Sequence, residues 1–192
     1  MSPVVTLLVG ADNVVFHASE ATLCRVPFFR AALQGQSEHA AEKRIWLPED
    51  VPPILSALLE HLYTGTYTYN RTIFDGTLTH DLPEGRFHVS VYAVATKYRW
   101  QPLVKAAVRN FLVVLPVLSG IDIVRLWKAA YEAGLTMSVC DSDGRLADFQ
   151  MLLPKLLQGL YVTDTAEMES TIADLPSLAN DIIQLLVAAS GN

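Results

Sequence analysis

The chain has 192 residues, of which 51% are hydrophobic and 18% charged, and its formal net charge is −6. This composition suits one sizeable buried core, and the acidic balance disfavours general binding to nucleic acid or anionic membranes. Cys24 and Cys140 provide neither a disulfide framework nor a zinc set, which indicates a reducing compartment. The N-terminus lacks signal-peptide features, and the longest apolar run falls far short of the roughly 20 residues of a membrane span. We therefore expect a cytoplasmic or nuclear protein.

Short strands alternate with helices in the first half of the sequence. Two β-rich runs around a Gly-Ala-Asp-Asn turn predict a β-hairpin, and a third short run before Pro48 predicts another strand. Ser19 suits the N-cap of a short helix through Cys24, and Pro27 and Gly35 bracket a second helix. The predicted strands cover residues 4–9, 14–16 and 45–47.

The clearest helix follows Asp50, which we predict to be its N-cap. Pro52 and Pro53 suit the first helical turn, and Gly65 suits the end of the helix. Five aliphatic residues recur at helical spacing and predict a buried stripe. These residues are Ile54, Leu55, Leu58, Leu59 and Leu62.

Residues 66–70 are β-rich and predict a further strand or a turn, and residues 70–87 lack periodicity and predict an exposed loop. Two amphipathic helices follow, from His88 to Tyr98 and from Pro102 onward. Beyond Pro116 only helices are predicted. They cover residues 121–133, 146–160 and 176–189. The sequence thus predicts the α+β class, with an all-helical C-terminal extension.

Three segments, in this order, resemble BTB/POZ domains. They are Phe16-His17 with Pro27-Phe28-Phe29-Arg30, then Ile45-Trp46-Leu47-Pro48 with Leu62-Tyr63-Thr64-Gly65, then the helix from Val91 to Tyr98. They are similar to the family's first helical hairpin, its central strand and helix with a tyrosine-threonine-glycine turn, and its last helical pair. The style of the loops is most similar to BTB proteins of filamentous fungi. The resemblance implies a small sheet clasped by helical hairpins over residues 4–115, with the helical extension at 118–190 packed on it.

The resemblance also implies a non-catalytic protein–protein interaction module that needs no cofactor and no metal. Family members self-associate or recruit a cullin-type ubiquitin ligase scaffold. The chain is therefore expected to be a substrate adaptor for such a ligase, or a self-associating scaffold or transcription-related assembly protein without a ligase link. An enzyme with an unrecognised site is the rival hypothesis, and it would require a deep polar pocket with perturbed pKa values.

The candidate partner-binding residues are Ser37, Glu38 and His39. Relatives that bind cullin place an apolar residue and, two positions on, a glutamate after the preceding helix. In this register the chain lacks the apolar residue, and its glutamate is displaced by one position. Because a hot spot needs an apolar side chain to fill its pocket, we expect weak or absent cullin binding. Only three residues precede Val4, so we do not expect a strand-swapped dimer, although a bare sheet edge permits other self-association.

We interpret the other candidate functional residues as structural. The histidines are far apart in sequence, and no short-spaced Cys/His pair predicts a metal site. We predict a structural hydrogen bond for His17 and a core position for Cys24. One basic and aromatic cluster could form a nucleic-acid surface, but the acidic total favours solvated helix faces. The cluster comprises Lys97, Tyr98, Arg99, Trp100, Lys105 and Arg109.

Overall fold

The structure is a computed structural model that describes residues 2–34, 42–69 and 83–114, together with Lys128 and Ala173. The chain divides into two compact units, one of residues 1–78 and 90–110 and the other of residues 79–89 and 111–192. Apart from Lys128 and Ala173, the predicted helical extension at 118–190 lies outside the described residues, as does the predicted loop up to residue 82.

The described residues form three strands and five helices, in the order strand, strand, helix, helix, strand, then three helices. The strands are β1 (Val4–Val9), β2 (Val14–Ser19) and β3 (Arg44–Leu47). The helices are α1 (Glu20–Leu23), α2 (Pro27–Gln34), α3 (Pro52–Thr64), α4 (Pro83–Lys97) and α5 (Gln101–Val114). This small sheet with surrounding helices confirms the predicted α+β class. In the described part of the chain, no helix is long and apolar enough to cross a membrane.

The sheet has the order β2-β1-β3, with β1 antiparallel to β2 and parallel to β3. The turn between β1 and β2 uses left-handed backbone at Gly10 (φ 74°) and Asn13 (φ 51°), residue types that tolerate it. A side-chain carbon added at position 10 would lie 3.4 Å from the Asp50 carbonyl oxygen and from Pro52, which is van der Waals contact. The left-handed backbone, rather than lack of space, is therefore the reason that glycine is favoured at Gly10. Because β1 is central, its inward residues, Val5, Leu7 and Val9, are completely buried.

Helix α3 places its apolar stripe in the core, as predicted. Ile54, Leu55, Leu58, Leu59 and Leu62 are all buried, and full burial of one such side chain contributes about 1.5–3 kcal/mol. The helix ends at Gly65, which has φ 79° and donates its backbone N–H to the His61 carbonyl at 2.9 Å. This is the left-handed C-terminal cap that the glycine predicts.

The predicted N-cap of α3 is wrong. Val51 occupies that position and makes no side-chain cap, while Asp50 is only 5% exposed. The Tyr98 hydroxyl donates to Asp50 Oδ2 at 2.5 Å, and Lys97 Nζ lies 3.2 Å from both carboxylate oxygens. A buried carboxylate is tolerated only when it is paired and hydrogen-bonded, and these two residues meet that need. Burial and the bond to Asp50 raise the pKa of Tyr98 far above its usual value.

Helix α4 begins at Pro83, so the last residues of the predicted loop at 70–87 are helical. Proline suits the first turn of a helix, and Glu84 there interacts favourably with the helix dipole. Gly85 interrupts the apolar periodicity, which explains why the sequence indicated a loop. Phe87 is buried, and its ring lies 5.6 Å from that of His88. Residues 66–69, for which a strand or turn was predicted, form neither helix nor strand.

Candidate functional site

The outward face of the sheet carries an exposed apolar row made of Val15, Leu8 and Trp46. In the strand register, Leu8 pairs with Val15 on one side and with Trp46 on the other, so the three side chains lie across the sheet on one face. Trp46 is 47% exposed and Val15 is 54% exposed. Large apolar side chains in one exposed row indicate a contact surface more strongly than scattered ones do.

A polar row lies beside the apolar row on the same face. Thr6 pairs with His17 and with Arg44, and Thr6 Oγ1 lies 3.4 Å from His17 Nδ1. His17 thus has a hydrogen-bond partner, but the contact is long and solvent-exposed, so it contributes little to stability. The Arg44 guanidinium lies 5.8 Å above the Trp46 ring, where it restricts the indole while leaving about half of it exposed. The contact surface is thus apolar at its centre and polar at its side.

A second surface feature is a basic cleft between the start of α5, the end of α3 and the turn after α1. Its volume is about 430 Å³. It is lined by Arg25, His61, Gly65, Trp100, Pro102, Lys105, Ala106 and Arg109. Three of these side chains are cations, and none of the eight carries a hydroxyl, thiol or carboxylate group. The lining therefore suits an anionic ligand.

Hydrogen bonds fix one wall of the basic cleft. The Trp100 indole N–H donates to His61 Nδ1 at 3.3 Å, and an Arg25 guanidinium N–H donates to the Leu62 carbonyl at 2.7 Å. Arg25 also lies 5.7 Å above the Trp100 ring. Burial, then the charges of Arg25 and Arg109, lower the pKa of His61. The imidazole is therefore neutral at neutral pH, and its Nδ1 can accept the hydrogen bond from the indole N–H.

The structure divides the basic and aromatic cluster that the sequence indicated. Tyr98 is completely buried and Lys97 pairs with Asp50, so these two residues are structural. Trp100, Lys105 and Arg109 line the basic cleft instead. Lys105 and Arg109 are exposed on α5, as the interpretation as solvated helix faces predicts, and they share the cleft lining with Trp100. Sequence reasoning missed Arg25 and His61 as their partners, because both lie far from α5 in sequence and only the fold brings them together.

The candidate partner-binding residues Ser37, Glu38 and His39 lie outside the described residues. Cys24 is half-buried rather than part of the core. Within residues 2–34, 42–69 and 83–114, no group of three or more His, Cys, Asp or Glu side chains is arranged to hold a metal ion.

The exposed apolar row and the basic cleft are both surface features suited to contact with another molecule. The family model of the BTB/POZ domain matches residues 5–112, which is more than half of the chain. The chain therefore belongs to the BTB/POZ domain family, whose domain is a non-catalytic protein–protein interaction module. A comparison with curated proteins gave no match.

Proposed function

We propose that this chain is a non-catalytic assembly module that self-associates, and that the apolar row of its sheet is the contact surface. The observation that carries the proposal is the exposure of Trp46 and Val15 in one row with Leu8. BTB domains mediate protein–protein interaction and self-association, so a second copy of the chain is the first partner to test.

The sheet offers both a face and edges for such a contact. Within the described residues, β2 and β3 each have one neighbouring strand, so each leaves one edge without a strand partner. A two-fold contact would place the apolar row of one copy against that of the other. A tryptophan that is 47% exposed still offers on the order of 100 Å² for burial, or about 2–3 kcal/mol per protomer. The polar row beside it would form the solvated rim of the contact.

Trp46→Glu tests the proposal by placing a charge in the apolar row. Val113→Glu is the matched control, because Val113 is a 72% exposed apolar residue on α5 rather than on the sheet. In light scattering across a concentration series, we expect the mass of the wild type and of Val113→Glu to rise above 21.1 kDa. The Trp46→Glu variant should stay near that mass with an unchanged circular dichroism spectrum. Equal association of both variants would rule out the sheet face as the contact.

Narrower roles rest on the sequence resemblance. One is that of a substrate adaptor for a cullin-type ubiquitin ligase, and the other is that of a transcription-related assembly protein. The ligase role depends on Ser37, Glu38 and His39, and a cullin pull-down separates it from self-association alone. The same proposal includes three further expectations from the sequence. They are a cytoplasmic or nuclear location, a likeness to fungal relatives, and a division into a domain at 4–115 and an extension at 118–190.

A further inference from the structure

We infer that the basic cleft is a second binding site, which holds a short acidic peptide segment of a partner protein. Arg25, Lys105 and Arg109 would bind its carboxylates, and the Trp100 ring would contact an adjacent side chain of the segment. This site is separate from the apolar row of the sheet and does not depend on self-association.

The charges in the cleft are not neutralised by the part of the chain that the structure describes. Lys105 and Arg109 are exposed and form no ion pair with a described carboxylate, and Arg25 donates to a backbone carbonyl. Lys97, which lies shortly before α5, differs in this respect because it pairs with Asp50 at 3.2 Å. Three cations therefore converge on one cleft of a chain whose net charge is −6. Such a local field attracts a small anionic group strongly.

The geometry favours carboxylates on a peptide. Guanidinium groups bind carboxylates through paired hydrogen bonds, and Arg25 is already held in place by the Leu62 carbonyl and by Trp100. Because this side chain is fixed before binding, less conformational entropy is lost when the ligand arrives. The cleft volume of about 430 Å³ accommodates a few side chains. Pro102 and Ala106 add apolar contacts beside the charges.

The overall charge selects a short ligand over a long one. A nucleic acid carries a charge at every nucleotide, so most of its length would face the acidic surface of this chain. A peptide with two or three carboxylates places its charge only in the cleft. A ligand that is a segment of another protein also agrees with the protein-binding role of the family.

The test measures fluorescence anisotropy with a labelled peptide of alternating glutamate and leucine, and with a matched peptide that has glutamine in place of glutamate. We expect the full-length chain to bind the glutamate peptide at least about tenfold more tightly, with an affinity that falls as salt is added. Lys105→Gln combined with Arg109→Gln should weaken binding of the glutamate peptide by about tenfold or more.

The matched control is Arg30→Gln combined with Arg99→Gln, which removes the same charge from residues outside the cleft lining. This control should bind the glutamate peptide as the wild type does. Equal weakening in the two double variants, or equal affinity for the two peptides, would overturn the proposal. If a single-stranded oligonucleotide binds more tightly than the glutamate peptide, and the cleft variant loses this binding, the ligand is a nucleic acid and not a peptide. Trp46→Glu should bind the peptide normally, so a failed cleft and a failed sheet contact remain distinguishable.

Discussion

Replacing Tyr98 with phenylalanine removes one oxygen atom from the core and leaves Asp50 without its shortest hydrogen bond. The Tyr98 hydroxyl donates to the carboxylate at 2.5 Å, and Tyr98 itself is completely buried. Hydrogen bonds to charged groups contribute about 1.5–3 kcal/mol, and Lys97 at 3.2 Å retains part of the compensation. We therefore expect Tyr98→Phe to lower the free energy of unfolding by about 2 kcal/mol, a large fraction of the roughly 5–15 kcal/mol typical of a domain.

Urea denaturation followed by circular dichroism measures this loss. Tyr63→Phe is the matched control, because the Tyr63 hydroxyl accepts the Ser19 N–H at 2.9 Å while the side chain is 56% exposed. Water can replace that bond, so the control should lose less than about 1 kcal/mol. A double-mutant cycle with Asp50→Asn should show coupling between positions 50 and 98. If Tyr98→Phe loses no more stability than Tyr63→Phe, the buried pair does not stabilise the fold as argued.

The remaining predictions concern the core, pH, cullin binding and the C-terminal extension. Leu58→Ala should cost about 2–5 kcal/mol, and an unchanged thermal melt would show that the α3 stripe is not the core. Burial lowers the pKa of His88 from 6.5 to about 4, so only the unfolded chain gains this proton as pH falls through that range. Stability should therefore decline by up to about 1.4 kcal/mol per pH unit, and a His88→Gln variant with the same slope would contradict this. Ser37→Phe with His39→Glu should strengthen a weak cullin interaction in a pull-down, whereas tight binding by the wild type would exclude this loop as the decisive contact. Truncation after Ser119 should cause aggregation or earlier melting, and a stable monomer would mean that the extension is an independent domain.

The local parts of the fold were predictable because their signals are close together in sequence. The stripe of α3 and its terminal glycine lie within one segment, and both appear in the structure as predicted. The role of Asp50 was not predictable, because its partner Tyr98 lies 48 residues away. At the local level, an aspartate before two prolines is typical of a helix cap. In the structure the Asp50 carboxylate is buried and accepts the Tyr98 hydroxyl just after the end of α4, so it does not cap α3.

Some features of the candidate site were likewise predictable from the sequence, and others were not. Alternation along β1 and β3 predicts which residues face outward, but the apolar row needs the strand register that pairs Leu8 with Trp46. Part of the basic cleft could be predicted, because the sequence places several cations close to Trp100. Its closure by His61, 39 residues from Trp100, depends on the packing of α3 against α5. No single-segment periodicity carries that information.

The position of β1 between its two neighbours also sets an order of events during folding. The hairpin of β1 and β2 closes through a short turn, and hairpins form in about 1–10 μs. The parallel ladder that joins Thr6 to Arg44 must wait until the chain through α1 and α2 has folded back, which costs loop-closure entropy. On a ribosome, β1 would therefore emerge and pair with β2 well before β3 is available. During that interval its other edge would be open to aggregation, so chaperone dependence in synthesis should track the time needed to complete β3.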